Sequence, residues 1–142
     1  MTKGKKKENN ISFTKLNIHH SYGDALYDIY YVVENGKSQA MSEFSKLNNN
    51  IKESIKALIS SMATIKDFKS PQIKHNLHGY NFGEIRPMPH RFFFFQKCGD
   101  NYIFFRYLLK KEDSLDDKTY GEIDRKKKAY EEEFERQFYS CR

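Results

Sequence analysis

Tryptophan is absent from the 142-residue chain, and only two cysteines, Cys98 and Cys141, and three prolines occur. Two cysteines at this spacing form neither a disulfide framework nor a zinc site. The five histidines, His19, His20, His75, His78 and His90, show no metal-ligand spacing, so neither a metal nor another cofactor is expected. No apolar run approaches the roughly 20 residues of a membrane span. The basic start lacks the apolar stretch of a secretory signal. These absences lead to an expectation of a cytoplasmic protein with no membrane partner.

What is present is aromatic and positively charged. Twelve Phe and ten Tyr bring aromatics to 15%, and charged residues make up 31%. That is the composition of one globular domain able to bury its own core. The net charge is +6 with a pI near 9.2, which favours a polyanionic partner. Part of the excess lies in Lys3, Lys5, Lys6 and Lys7, but residues 79–111 also carry six Lys or Arg against two acids.

The pattern along the chain predicts an α+β protein. Residues 1–22 are polar and read as a disordered basic tail, leaving 23–142 as a single domain. ALYDIYYVV at 25–33 predicts a strand, followed by a turn at Glu34-Asn35-Gly36-Lys37 and a short helix capped by Ser38. Ile51, Ile55, Leu58, Ile59, Met62 and Ile65 form one apolar stripe, so a helix is expected over 51–68, with Asn50 as its cap and Ser70-Pro71 as its end. From Tyr80 the period changes to two. Strands are expected over 80–86, 91–97 and 102–109, with Pro87-Met88-Pro89 and the 98–101 loop as turns. A closing helix is expected over 120–138, with Ile123, Tyr130, Phe134 and Phe138 on one face.

That order, with a β-meander after a helical pair, resembles the RelE/ParE toxin superfamily. YDIYYVVENGKSQAMSEFSKL from Tyr27 is similar to the opening of the HigB-like, phage-derived subgroup. GYNFGEIRPMPHRFFFF is similar to its "L-Y-E-L-R … R-x-x-Y-F", with Glu84, Arg86 and Arg91 at the matching positions. NYIFFRYLLKKEDS resembles "I-x-L-L-x-x-F-x-K-K", with Lys110 and Lys111 as the paired bases, and GEIDRKKKAYEEEF resembles the closing helix. Arg106 stands where the family often has His, and two prolines replace a Gly-rich turn. The fold implied is a small antiparallel sheet, made of a meander plus an N-terminal strand, packed against an N-terminal helical pair and a C-terminal helix.

The resemblance implies the toxin of a type II toxin–antitoxin system, an mRNA interferase that cleaves translated mRNA on the ribosome without a metal. In that transesterification a 2′-hydroxyl attacks the adjacent phosphate and the 5′-oxygen leaves. It needs a base, cations around the phosphate, and an acid. Glu84 is the matching base candidate. Arg86 and Arg91 suit a bidentate phosphate clamp. Lys110 and Lys111 are suited to the scissile phosphate or ribosomal RNA. His90, Arg106 and Tyr120 are candidate RNA contacts. Against these stand plainer roles: an ion pair between Glu84 and Arg86, a surface His90, and Tyr120 as a packing residue. Arg106 interrupts an apolar strand, and its partner is either Glu84 across the sheet or a phosphate. The implied partners are mRNA, ribosomal RNA and an antitoxin, for HigB-like members a helix-turn-helix protein.

Two rivals remain. One is a ParE-like gyrase inhibitor on the same fold, because fold does not imply function. The other is a non-catalytic RNA- or protein-binding module. Phe92 to Phe95 suggest base stacking, but four consecutive residues of a strand alternate between its faces, so at least two belong to the core.

Overall fold

The computed structural model describes residues 10–17, 24–97, 101–109 and 116–138, the side chain of His78 excepted. They form an α+β unit with a six-stranded mixed sheet and three helices. The strands are β1 (Ile11–Lys15), β2 (Ile29–Glu34), β3 (Ile73–Lys74), β4 (Gly83–Ile85), β5 (His90–Lys97) and β6 (Asn101–Leu109). The helices are α1 (Gln39–Ser45), α2 (Asn49–Thr64) and α3 (Asp117–Gln137). The sheet order is β1-β2-β6-β5-β4-β3.

Several expectations need correction. The sheet is not purely antiparallel: β2 lies parallel to β6, with Ile29 opposite Tyr102. The helical pair is not N-terminal, because two strands precede it. Within the expected tail, Ile11–Lys15 is a strand paired antiparallel to β2. Its alternation Ile11, Ser12, Phe13, Thr14 is too short to stand out, yet it sets Ile11 and Phe13 against the α3 side of the core. Residues 1–9 and 18–23 lie outside the described residues. β2 begins at Ile29 rather than at residue 25, since Leu26 N and Tyr27 N donate instead to Ala63 O at the end of α2.

Local chemistry accounts for the element ends. Asn35 and Gly36 both take positive φ, 55° and 81°, in a tight turn where Glu34 and Lys37 exchange backbone hydrogen bonds. Ser38 Oγ accepts from Met41 N at 3.1 Å and starts α1. Asn48, not Asn50, caps α2, accepting from Ile51 N at 3.0 Å. α2 stops at Thr64, well before Pro71; Asp67, at φ 54°, turns the chain there. Asp116 caps α3, accepting from Thr119 N at 2.8 Å. β4 is shorter than the expected 80–86 strand, because Asn76 and Gly79 at positive φ frame a 3-10 turn at Leu77–Gly79 just before it.

The sheet lies between two apolar layers. α1 and α2 cover one face through Ala40, Ile55, Leu58, Met62 and Ala63, while α3 covers the other through Tyr120, Ile123, Tyr130 and Phe134. β5 serves both layers. Phe92 and Phe94 point to the first, Phe93 and Phe95 to the second, and all four are buried. Each contributes about 1.5–3 kcal/mol of burial. No base can stack on them, which removes the sheet-platform argument for an RNA-binding module. The two-pronged Gln39 amide, donating to Tyr107 O at 2.8 Å and accepting from Tyr107 N at 2.7 Å, satisfies the β6 backbone beyond its pairing with β2.

Candidate functional site

β4 and β5 are joined through Arg86, Pro87, Met88 and Pro89, with a cis Met88-Pro89 bond. Ile85 and Phe92 face α1 and α2, so Glu84, Arg86 and Arg91 project from the opposite, α3-side face. Cross-strand pairing then builds one row over four strands: Lys74 opposite Glu84, Glu84 opposite Phe93, and Phe93 opposite Arg106. Arg106 reaches this row through a bulge. The β5–β6 register shifts between Phe93 and Phe94, so Phe105 and Arg106 both lie toward α3.

Glu84 is the centre of the cluster. It is 1% exposed, and Arg91, at 0%, donates from Nη1 to both its oxygens, at 3.3 and 3.5 Å. Arg86 Nε lies 3.6 Å from Glu84 Oε2, and the Arg86 side chain is 17% exposed. Burial pushes the Glu84 carboxyl above its usual range, while Arg91, Arg86 and Lys74 pull it back. One carboxylate thus sits among three cations. Among the described residues this cluster carries a net positive charge in a partly desolvated setting, where electrostatic interactions are strong.

The structure therefore separates the predicted residues by what they can reach. Glu84 and Arg91 are brought together, but as a buried pair. Their burial suits the orientation of Arg86 rather than direct contact with a substrate or proton abstraction by Glu84. Arg86 lines a polar groove with Pro71, Gln72, Lys74 and Met88. Arg106 is half-buried, and among the described residues it has no ion-pair partner; neither Glu84 nor any other carboxylate pairs with it. Its charge acts instead on Tyr130, whose hydroxyl donates to Glu34 Oε1 at 2.5 Å and whose pKa is raised by burial and by that carboxylate. Tyr120 is 2% exposed, packed near Phe82 in the α3 layer, and so is a core residue rather than an RNA contact. His90 projects from the other face of the sheet, where its ring stacks on Tyr107 and its Nδ1 lies 2.7 Å from the Tyr107 hydroxyl. Lys110 and Lys111 lie outside the described residues. Sequence reasoning missed Lys74, whose two-residue strand is too short to show a period.

Among the described residues no group of three or more His, Cys, Asp or Glu is placed to hold a metal ion, and no helix is long and apolar enough to cross a membrane. No protein-family model matches the chain, and no curated protein and no solved structure shows significant similarity to it.

The two described imidazoles lead to an expected pH dependence of stability. Burial lowers the pKa of both His75 and His90 below 6.5. Such groups contribute stability above their unfolded pKa and lose it as the pH falls through the folded value. Urea titrations between about pH 7.5 and 5 are expected to show stability dropping toward acid. The drop should shrink in His75→Gln/His90→Gln; an identical acid limb in that variant would assign it to other groups.

Proposed function

We propose that this protein is a RelE/ParE-type toxin of the HigB-like subgroup, a metal-independent mRNA interferase acting on translated mRNA in the cytoplasm. The observation that carries the reading is the Glu84–Arg91–Arg86 cluster, at the positions where the HigB-like sequence pattern keeps its ionic residues. The order of a helical pair, then the β4–β5–β6 meander, then a covering helix supports it as well, as does the basic excess in residues 79–111. Its partners under this reading are mRNA, ribosomal RNA and a helix-turn-helix antitoxin.

In this mechanism Arg86 is the catalytic residue. Its guanidinium stabilises the negative charge that grows on the scissile phosphate as the 2′-hydroxyl attacks. Arg91 and Glu84 are positioning residues. The carboxylate holds Arg86 at its Nε, and Arg91 keeps that carboxylate ionised in a buried place. What the described residues offer is charge stabilisation more than proton transfer.

Induced expression in bacteria, with mapping of RNA 5′ ends, tests the reading. Wild type is expected to arrest growth and to create new ends inside translated codons. Arg86→Ala, at the rim, should lower cleavage about 100-fold while remaining folded. Arrest without new RNA ends but with DNA-damage signalling would select the gyrase-inhibitor reading. No arrest from abundant, folded protein would select the binding module.

A further inference from the structure

The polar groove beside Arg86 has no place in the sequence pattern, and it is bounded by groups of two kinds. Its cationic side is Lys74 and Arg86. Lys74 is exposed and makes no ion pair among the described residues. It stands opposite Glu84 in the β3–β4 register, so its charge falls on the same face as the cluster. The apolar side is Pro71 and Met88, and Met88 is 45% exposed, one of the few large apolar side chains left in solvent. Gln72 adds a side-chain amide. Separately, the Gln72 backbone carbonyl accepts from Arg86 N at 2.7 Å, which ties the β3 edge to the exit of β4 and fixes the groove walls relative to each other.

A bare anion would use only the cations, and an apolar ligand would use only Met88 and Pro71. A nucleotide uses both, with a phosphate against Lys74 and Arg86 and a base against the thioether and pyrrolidine. We propose that this groove is a subsite for a nucleotide of single-stranded RNA flanking the one that reacts, with Lys74 as its phosphate-binding residue. The choice of RNA as the polyanion rests on the ribonuclease reading above; the groove's own groups supply the rest. The subsite lies at the β3 edge of the sheet, so the RNA strand runs from the β4–β5 turn across that edge.

The test uses the full chain and a short, fully 2′-O-methylated RNA oligonucleotide, which binds but has no 2′-hydroxyl to attack. Fluorescence anisotropy is measured between about 50 and 200 mM salt. Lys74→Ala is expected to weaken binding about tenfold and to flatten the slope of log affinity against log salt by about 0.7, the release of one phosphate contact from a single strand. Met88→Ser should weaken binding without changing the slope. Lys56→Ala, on the α2 side, is the control and should change neither. Circular dichroism verifies that each variant is folded; Lys74 is exposed, whereas Met88 Sδ accepts from the buried Arg91 Nη2 at 3.9 Å, so for Met88→Ser a folded spectrum and an unchanged melt are required before its binding is read. Binding by Lys74→Ala with wild-type affinity and slope would overturn the proposal, as would a wild type that does not bind the RNA. Growth arrest by a Lys74-independent protein would leave the interferase reading standing while removing this subsite. RNA binding through Lys74 by a protein that causes no arrest would do the reverse.

Discussion

Arg91→Ala is expected to destabilise the fold by about 3–5 kcal/mol, because it leaves the Glu84 carboxylate buried without its main cation. Arg86, at 3.6 Å, compensates only in part. Urea unfolding followed by tyrosine fluorescence gives the measurement, since the chain has no tryptophan to mask it. The double variant Glu84→Leu/Arg91→Met should recover most of the loss, because an apolar pair of similar volume avoids the desolvation of both charges. The two variants divide stability from function. If the pair exists to orient Arg86, the double variant folds well and cleaves poorly. A double variant as active as wild type would show that Arg86 needs no such support. A single Arg91→Ala within about 1 kcal/mol of wild type would show that the pair is not the buried ion pair described here.

Gly83→Ala is the second large effect. A Cβ at Gly83 would lie 2.5 Å from Lys74 O and 2.7 Å from Phe94 Cζ. A backbone carbonyl cannot swing away, and the Phe94 ring is locked in the core, so β3 must part from β4. The expected cost is about 3 kcal/mol or more. Because the parting strands carry Lys74 and Glu84, RNA binding should fall with stability. Gly121→Ala is the contrast. Its Cβ would meet only Tyr80 Oη, at 3.7 Å, inside α3, so a gain of about 0.5–1 kcal/mol is expected from helix propensity. Parallel thermal melts of the two variants distinguish a packing requirement from a general tolerance of glycine replacement.

The course of the fold was legible wherever a period ran long enough. The Phe92–Phe95 run is buried as its spacing requires, and so is the centre of the α2 stripe, Ile55, Leu58 and Met62, with Ile51 and Ile59 partly covered; Ile65 lies past the helix end and is exposed. Ends were harder. Three successive asparagines at 48–50 all suit a cap, and only the geometry selects Asn48. The strands that escaped notice, Ile11–Lys15 and Ile73–Lys74, are the two edges of the sheet. Edge strands have one neighbour, and these two are short, so their composition is weakly constrained. The mixed character of the sheet was invisible for a different reason: no local signal records that β2 lies beside β6 and parallel to it.

The candidate site divides in the same way. Glu84, Arg86 and Arg91 can be selected from the sequence by their resemblance to the HigB-like pattern, whereas Arg106 stands out as a charge inside an apolar strand. What the sequence could not supply is depth. It gave no means to tell the fully covered Arg91 from the rim residue Arg86, or to foresee that His90 and Glu84 leave the sheet on opposite sides. The bulge opposite Phe93 and Phe94 had the same effect on Arg106, moving it by one residue out of simple alternation onto the α3 side.

The position of β6 has a consequence for how the chain acquires its fold. It is the last strand in sequence yet lies in the interior of the sheet, between β2 and β5. Until β6 is made, β1–β2 and β3–β4–β5 are two fragments with no strand to join them, and the parallel contact of Ile29 with Tyr102 closes a loop that spans both helices of the pair. Such non-local closure is slow relative to helix formation. During synthesis α1 and α2 can form early, but the surface bearing Glu84, Arg86 and Arg91 acquires its α3-side cover only at the end. A nascent chain stalled before Asn101 would hold an unclosed sheet, its two halves without the strand that joins them.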